Sequence, residues 1–177
     1  MAIEAGTHKL GPDNANLRVK TGRSGAAAAA GHDLTIEVTA WKATLTVGEQ
    51  SSLELTADAT SLRVLEGKGG MKGLGEDDKA DIHKSIDKDI LKKKAIHFSS
   101  TEVQGAHGDL LVKGELEIVG TSAPVEFNLT IADDGTLNGS ATLAQTNWGI
   151  KPYSALFGAL KVNDEVVVSV DGKVPTA

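Results

Sequence analysis

The chain has 177 residues, a formal charge of -6 and no cysteine, which suits a single domain spanning 1–177 with a core that needs no covalent staples. The missing thiol excludes a disulfide framework, a thiolate nucleophile and Cys-ligated zinc, and the net negative charge speaks against nucleic acid as a partner. No stretch approaches the roughly 20 apolar residues of a membrane-spanning helix, and the first residues lack the basic start and apolar run of a signal peptide, so the expected location is cytoplasmic, or secreted or periplasmic if a leader has been cleaved.

In chain order, Leu17 and Val19 alternate with Arg18 and Lys20, and Leu34, Ile36 and Val38 alternate with Thr35, Glu37 and Thr39. A period of two is the mark of strands with one apolar face. The apolar parity then flips to Trp41, Ala43, Leu45 and Val47, which calls for a bulge or bend near Ala40 and Trp41. Leu53, Leu55 and Ala57 open a third strand that runs on towards Leu62 and Val64. Between the first two strands, Ala26 to Ala30 is helix-prone but too short to nucleate alone, so a short helical or loop cover near 24–31 must dock on something or stay mobile.

After the glycine-rich stretch Gly67 to Gly75, Ile82, Ile86, Ile90 and Leu91 fall on one stripe of a helix expected over about 78–93. Asp77, Asp78 and Asp81 crowd its start and Lys92, Lys93 and Lys94 its end, the favourable signs for the macrodipole. Five further strands are expected at about Ala95–Val103, Asp109–Val119, Pro124–Ala132, Thr136–Thr146 and Val162–Asp171. In the third of these, Val125, Phe127, Leu129 and Ile131 lie out of phase with Glu126, Asn128 and Thr130. The expectation is an all-β fold, an eight-stranded antiparallel barrel with one amphipathic helix against it.

Such a barrel either fills its interior with side chains or holds one small ligand. Aromatic residues are 3% of the chain, and the inward positions are mostly aliphatic or small, so an underfilled interior suited to a long apolar chain is expected. Parity assigns to its lining Leu17, Val19, Leu34, Ile36, Val38, Leu53, Leu55, Phe98, Leu116, Ile118, Phe127, Leu129, Leu143, Val166 and Val168, with Trp148 and Phe157 nearer one end. The competing reading is a filled barrel that acts as a structural or protein-interaction module. Leu111 and Val119, on the otherwise polar side of the Asp109–Val119 strand, are its motive.

Three segments, Ala95-Ile-His-Phe-Ser-Ser-Thr-Glu-Val103, Lys113-Gly-Glu-Leu-Glu-Ile-Val-Gly-Thr-Ser-Ala-Pro-Val125 and Asn147-Trp-Gly-Ile150 followed by Asn163-Asp-Glu-Val166, together resemble the YceI-like family of lipocalin-like, polyisoprenoid-binding domains. The resemblance spans nearly the whole chain. It implies an extended antiparallel barrel with helical cover whose tubular cavity holds a polyprenyl or quinone tail. Asn14 and Ala15 stand where the family has a His-Ser pair, Asp81-Ile-His-Lys84 where it has an Arg-containing helix motif, and the insertion Gly22 to Gly31, ending in Gly31-His-Asp-Leu34, resembles a variant subgroup. These departures fall in the expected mouth region and leave head-group identity open.

No catalytic constellation accompanies the pattern. His32 and Asp33 are strand neighbours and point to opposite faces, His107 near Asp109 sits in a hairpin turn whose spacing Gly105 and Gly108 explain, and His83 and His97 lack metal-ligand spacing. The Gly67–Gly75 loop with Lys68 and Lys72 lacks the ending of a P-loop, so phosphate contact is the weaker reading there. The expected protein is therefore a carrier with no catalytic residue, metal or cofactor. Its partner is a hydrophobic small molecule of polyprenyl or quinone-like type, with transient membrane contact and a monomeric or homodimeric state.

Overall fold

The computed structural model describes residues 4–70, 73–106, 108–155 and 158–174. Its main feature is a strongly curled antiparallel sheet of eleven strands: β1 (Gly6–Leu10), β2 (Ala15–Lys20), β4 (Asp33–Val38), β5 (Trp41–Val47), β6 (Ser52–Ala57), β7 (Leu62–Lys68), β8 (Ile96–Ala106), β9 (Asp109–Ile118), β10 (Thr121–Ile131), β11 (Thr136–Ala144) and β14 (Glu165–Lys173). A second sheet of three short strands joins β3 (Arg23–Ser24), β12 (Ser154–Ala155) and β13 (Leu160–Val162).

The eight strands expected from the sequence are thus an undercount, and the reason is bending. The main sheet runs in the order β1-β5-β6-β8-β9-β10-β11-β14-β2-β4-β7. Its opening trio, β1-β5-β6, and its closing trio, β2-β4-β7, are covalent halves of the same three passes of chain. The first pass breaks at the turn where Ala15 N–H donates to the Gly11 carbonyl at 2.9 Å. The second breaks at Thr39–Ala40 and the third at the 3-10 turn Ala59–Ser61. These last two bends are tied side by side, Thr39 N–H donating to the Ser61 carbonyl at 2.9 Å and Asp58 N–H to the Ala40 carbonyl at 3.0 Å. A bend changes a strand's hydrogen-bonding partner while keeping its apolar face inward, as the burial of both Val38 and Trp41 shows. Parity read along a sequence sees the face and not the partner.

Two register shifts keep that face inward elsewhere. Opposite Thr35 and Ile36, β7 carries Leu65 as an extra residue, which leaves Leu65 exposed while Val64 stays packed on the core. In β8 the extra residue is Thr101, between Ser100 and Glu102.

Helix α1 covers Glu76–Ser85 and passes directly into a π-helical turn, Ile86–Ile90. It begins earlier and ends sooner than the expected 78–93. Lys92 and Lys93 adopt left-handed φ of 52° and 56° and lie beyond the helix, so they do not cap its dipole from the last turn. The helix is held to β7 through His83, whose Nδ1 lies 2.9 Å from the Leu62 carbonyl and whose Nε2 lies 3.2 Å from Asp87.

The β9–β10 hairpin turns at Val119 and Gly120, one step before the expected loop at Gly120–Ala123, with φ of 54° and 76°. Positive φ at both central positions is what the twist of a two-residue hairpin demands. Val119 is thereby lifted off the polar face assigned to it and packs on the apolar clusters with Ile90 and Ile118. Leu111 remains on the outer phase of β9, half-buried.

Two turn carboxylates stabilise bends in solvent. Asp58 accepts from the backbone and hydroxyl of Thr60 at 2.9 and 2.7 Å, and Asp134 accepts from the Thr136 N–H at 2.9 Å. These hydrogen bonds hold both carboxyls below the ordinary aspartate value. A folded value below the unfolded one makes the contribution complete above about pH 3.9 and removes it as pH falls through the folded values. Asp58→Asn with Asp134→Asn should therefore weaken the acid dependence of unfolding, measured as urea midpoints over the acid range. An unchanged pH profile would contradict the assignment.

Candidate functional site

The curl encloses a cavity of about 580 Å³ whose wall is overwhelmingly apolar. That volume lies within the roughly 300–1,000 Å³ typical of small-molecule sites. The wall strands contribute mainly by alternation, with Ser140 of β11 and Ser169 of β14 as additions out of phase. Along β10, Val125, Phe127 and Leu129 line the cavity while Glu126, Asn128 and Thr130 are exposed. Along β11, Leu137, Gly139, Ala141 and Leu143 line it while Asn138 and Thr142 are exposed.

All the parity-assigned residues that fall among the described positions line this one space. Leu17 and Val19 reach it from β2, Leu34, Ile36 and Val38 from β4, Leu53 and Leu55 from β6 and Phe98 from β8. Leu116 and Ile118 come from β9, Phe127 and Leu129 from β10, Leu143 from β11, and Val166 and Val168 from β14. Trp148 joins them from the 3-10 turn Gln145–Trp148. Phe157 and His107 lie outside the described residues. Gly139 faces Leu129 across β10 and β11, and a Cβ there would come within 3.0 Å of the Leu129 Cδ1, so the missing side chain gives Leu129 its seat on the wall.

Other wall residues were not among those assigned to the lining. Trp41 lies just beyond a bend, and Ile82, Ile86 and Ile90 bring in the helix stripe. That stripe was visible as a period of 3.6, and only the packing of the helix over the sheet shows that it completes the wall. Trp148 is 3% exposed and its indole N–H donates to the Leu116 carbonyl at 2.7 Å, so it is fixed as part of one end of the cavity.

The alanine-rich segment docks. A 3-10 turn at Ala28–Ala30 is held by Ala27 N–H donating to the Ala159 carbonyl at 2.8 Å, and Ala30 and Gly31 face the cavity. The glycine-rich stretch cradles side chains of the protein itself. A side chain at Gly67 would run into Leu74, one at Gly69 into the Arg23 guanidinium and one at Gly70 into the His32 ring. This seat is the structural use of glycines for which phosphate contact was the weaker reading.

Histidines are dispersed. His97 pairs with Glu54 at 3.2 Å on the outer surface, whereas His83 of α1 pairs with Asp87 at 3.2 Å. Among the described residues, no group of three or more His, Asp or Glu side chains is placed to hold a metal ion, and no helix is long and apolar enough to cross a membrane.

Comparison with known proteins agrees with this architecture. The model of the YceI-like domain matches residues 11–174. The chain belongs to the YceI-like family. Among solved structures, it is similar to BcnA of Burkholderia cenocepacia, with 17% identity over 92% of this chain and 96% of that one and a TM-score of 0.66. It is also similar to the Campylobacter jejuni YceI protein, with 10% identity over 80% of this chain and 85% of that one and a TM-score of 0.56. At these identities the likeness is one of fold. No curated protein matches the chain. YceI-like domains form a family of binding proteins, and membership supports a role in hydrophobic ligand binding.

Proposed function

We propose that this YceI-like chain is a non-catalytic carrier that sequesters or transports a long-chain lipid, a polyisoprenoid or isoprenoid quinone or a similar molecule, inside the curled sheet. The observation that carries the reading is the 580 Å³ apolar cavity lined by the inward phase of successive strands. Burial does the work: each methylene moved from water into such a slot contributes about 0.8 kcal/mol, so a prenyl tail binds tightly without a charged contact. Leu17, Val19, Leu34, Ile36, Val38, Leu53, Leu55, Phe98, Leu116, Ile118, Phe127, Leu129, Leu143, Val166 and Val168 are proposed as tail contacts, with Trp148 and Phe157 towards an end. A single domain over 1–177, a cytoplasmic location, passing contact with membranes during loading and a monomeric or homodimeric state complete the proposal.

The size of the cavity favours this reading over a filled structural module. Mass spectrometry of an organic extract of the purified protein tests it, with a bound prenyl lipid as the expected result. A barrel that carries no lipid and also ignores added prenyl lipids would overturn the carrier reading.

A further inference from the structure

We propose that α1 is a lid on the cavity, that it pivots beyond Ile90, and that His83 is the latch that keeps it closed, so that this one side chain sets how fast a lipid enters and leaves. The inference rests on the carrier reading and adds the route by which the carrier is loaded. It starts from the packing of the helix, which differs from that of the other walls. The strands bring buried residues such as Leu129 and Leu143 to the cavity, whereas neither α1 nor the π-helical turn after it contains a buried residue. The helix stripe, Ile82, Ile86 and Ile90, is half-buried and borders the void, so it gains less from burial than the same side chains would in a filled core. Elements with few buried apolar contacts are the ones that open first in a folded protein.

The helix is tied to itself. The Gly75 N–H donates to Asp78 at 3.0 Å, and Lys79 with Glu76 at 3.5 Å and Lys84 with Asp81 at 3.6 Å bridge successive turns. These contacts travel with the helix, so it leaves the sheet as one piece. Its far end is secured differently. Leu91 is buried in the main core, the Lys94 N–H donates back to the Leu91 carbonyl at 3.1 Å, and the backbone between them takes left-handed φ at Lys92 and Lys93. This turn is the fixed pivot, and the π-helical stretch beside it is the place to bend.

His83 joins this moving part to the sheet. Its Nδ1 lies 2.9 Å from the Leu62 carbonyl of β7 and 3.0 Å from Arg63 Nη1, which itself donates to the Thr60 carbonyl at 2.7 Å, and its Nε2 meets Asp87 at 3.2 Å. β7 is the last strand of the main sheet, so the lid parts from an edge and no strand pair breaks when it moves. The closed position also carries a cost. The Asp87 side chain is 13% exposed, and its Oδ1 has no hydrogen-bond partner among the described residues. Holding a carboxylate oxygen unpaired and out of water is unfavourable, and opening rehydrates it. The latch therefore works against a group that favours the open state.

The test follows the delipidated full chain by stopped-flow fluorescence as it takes up and releases geranylgeraniol and, separately, a prenylated quinone. Trp41 and Trp148 line the cavity and report its occupancy. His83→Ala is expected to raise the association and dissociation rates together by about tenfold, the scale of one lost hydrogen bond to a charged group. The dissociation constant should stay within about twofold, because a lid stands equally in the way of entry and exit. His83→Asn keeps a donor close to the position of Nδ1 and should remain within about threefold of the parent rates. Arg63→Met, at an exposed position of β7, removes only the guanidinium side of the latch; it should raise both rates by about threefold and keeps the test open if His83→Ala does not fold. The chain has no cysteine, so Arg63→Cys with His83→Cys makes a pair that a short bismaleimide joins selectively. The joined form should exchange lipid about tenfold more slowly, or slower still, than the same variant left unjoined. A residue that only shaped the wall would lower affinity and leave association unchanged, and that pattern in the latch variants overturns the proposal, as does equal exchange in the joined and unjoined pair. Failure of the unaltered chain to bind either probe removes the carrier reading itself, whereas tight binding at rates indifferent to latch and joint removes the lid alone.

Discussion

Leu129→Trp is expected to abolish binding of prenyl lipids, while Asn128→Trp, one residue away, leaves it intact. Leu129 is 2% exposed and lines the cavity from the middle of β10, opposite Gly139 of β11. An indole at 129 extends further into the cavity than the leucine it replaces, so it is accommodated at the expense of the ligand. Because the cavity already exists, the usual penalty of about 1–3 kcal/mol for overpacking a filled core is reduced, and the variant should remain folded. Asn128 is exposed on the opposite phase, where a larger side chain meets solvent. Titration of both variants with a prenyl lipid, with circular dichroism as the control for folding, makes the comparison. Equal loss of binding in two folded variants would mean that the inside and outside of the sheet are exchanged.

The second large effect is on stability. Leu45→Ala should lower unfolding free energy by about 2–5 kcal/mol, the range for deleting a fully packed aliphatic side chain. Leu45 is 0% exposed, belongs to the main core cluster and does not border the cavity. Leu116→Ala should cost less, because Leu116 is only partly buried and the change enlarges a space that is already open. The ligand should respond in the reverse order, with prenyl binding weakened in Leu116→Ala and retained in Leu45→Ala under conditions where both are folded. Urea unfolding midpoints and lipid titrations together decide it. A greater stability loss at Leu116 than at Leu45 would show that the space is packed and that the cavity does not exist in solution.

These two pairs also show what was legible in the sequence. The inward phase of each strand was readable because burial of one face forces a period of two, and that rule is local. It reached every assigned wall residue that lies among the described positions. Pairing is not local: nothing between Val38 and Trp41 states that the chain will exchange one neighbouring strand for another, so the second and third passes were each read as one strand, and of the first pass only the half at Leu17 and Val19 was read, β1 being missed. Val119 was misplaced for the same reason, since a hairpin turn shifted by one position alters which residues still belong to the strand. The seat of Arg23 and His32 was the least legible part. Arg23 and His32 gain meaning only when the glycines at 69 and 70 come beneath them, and that meeting crosses a long loop.

The position of β14 in the sheet bears on how the molecule comes into being. It is the last strand in the described chain, and it lies between β11 and β2, pairing Val168 with both Ala141 and Val19. A polypeptide emerging from the ribosome must therefore keep β2 waiting through almost the entire synthesis before its neighbour appears. Pairings of such long sequence separation are slow to form, because the entropy of bringing distant segments together is lost before their contacts are gained. Until that closure, β11 and β2 each present an open edge beside a greasy face, the arrangement most prone to association with other chains. Truncation before Glu165 would accordingly do more than shorten the molecule: it would part the sheet between β11 and β2 and turn an enclosed container into an open trough.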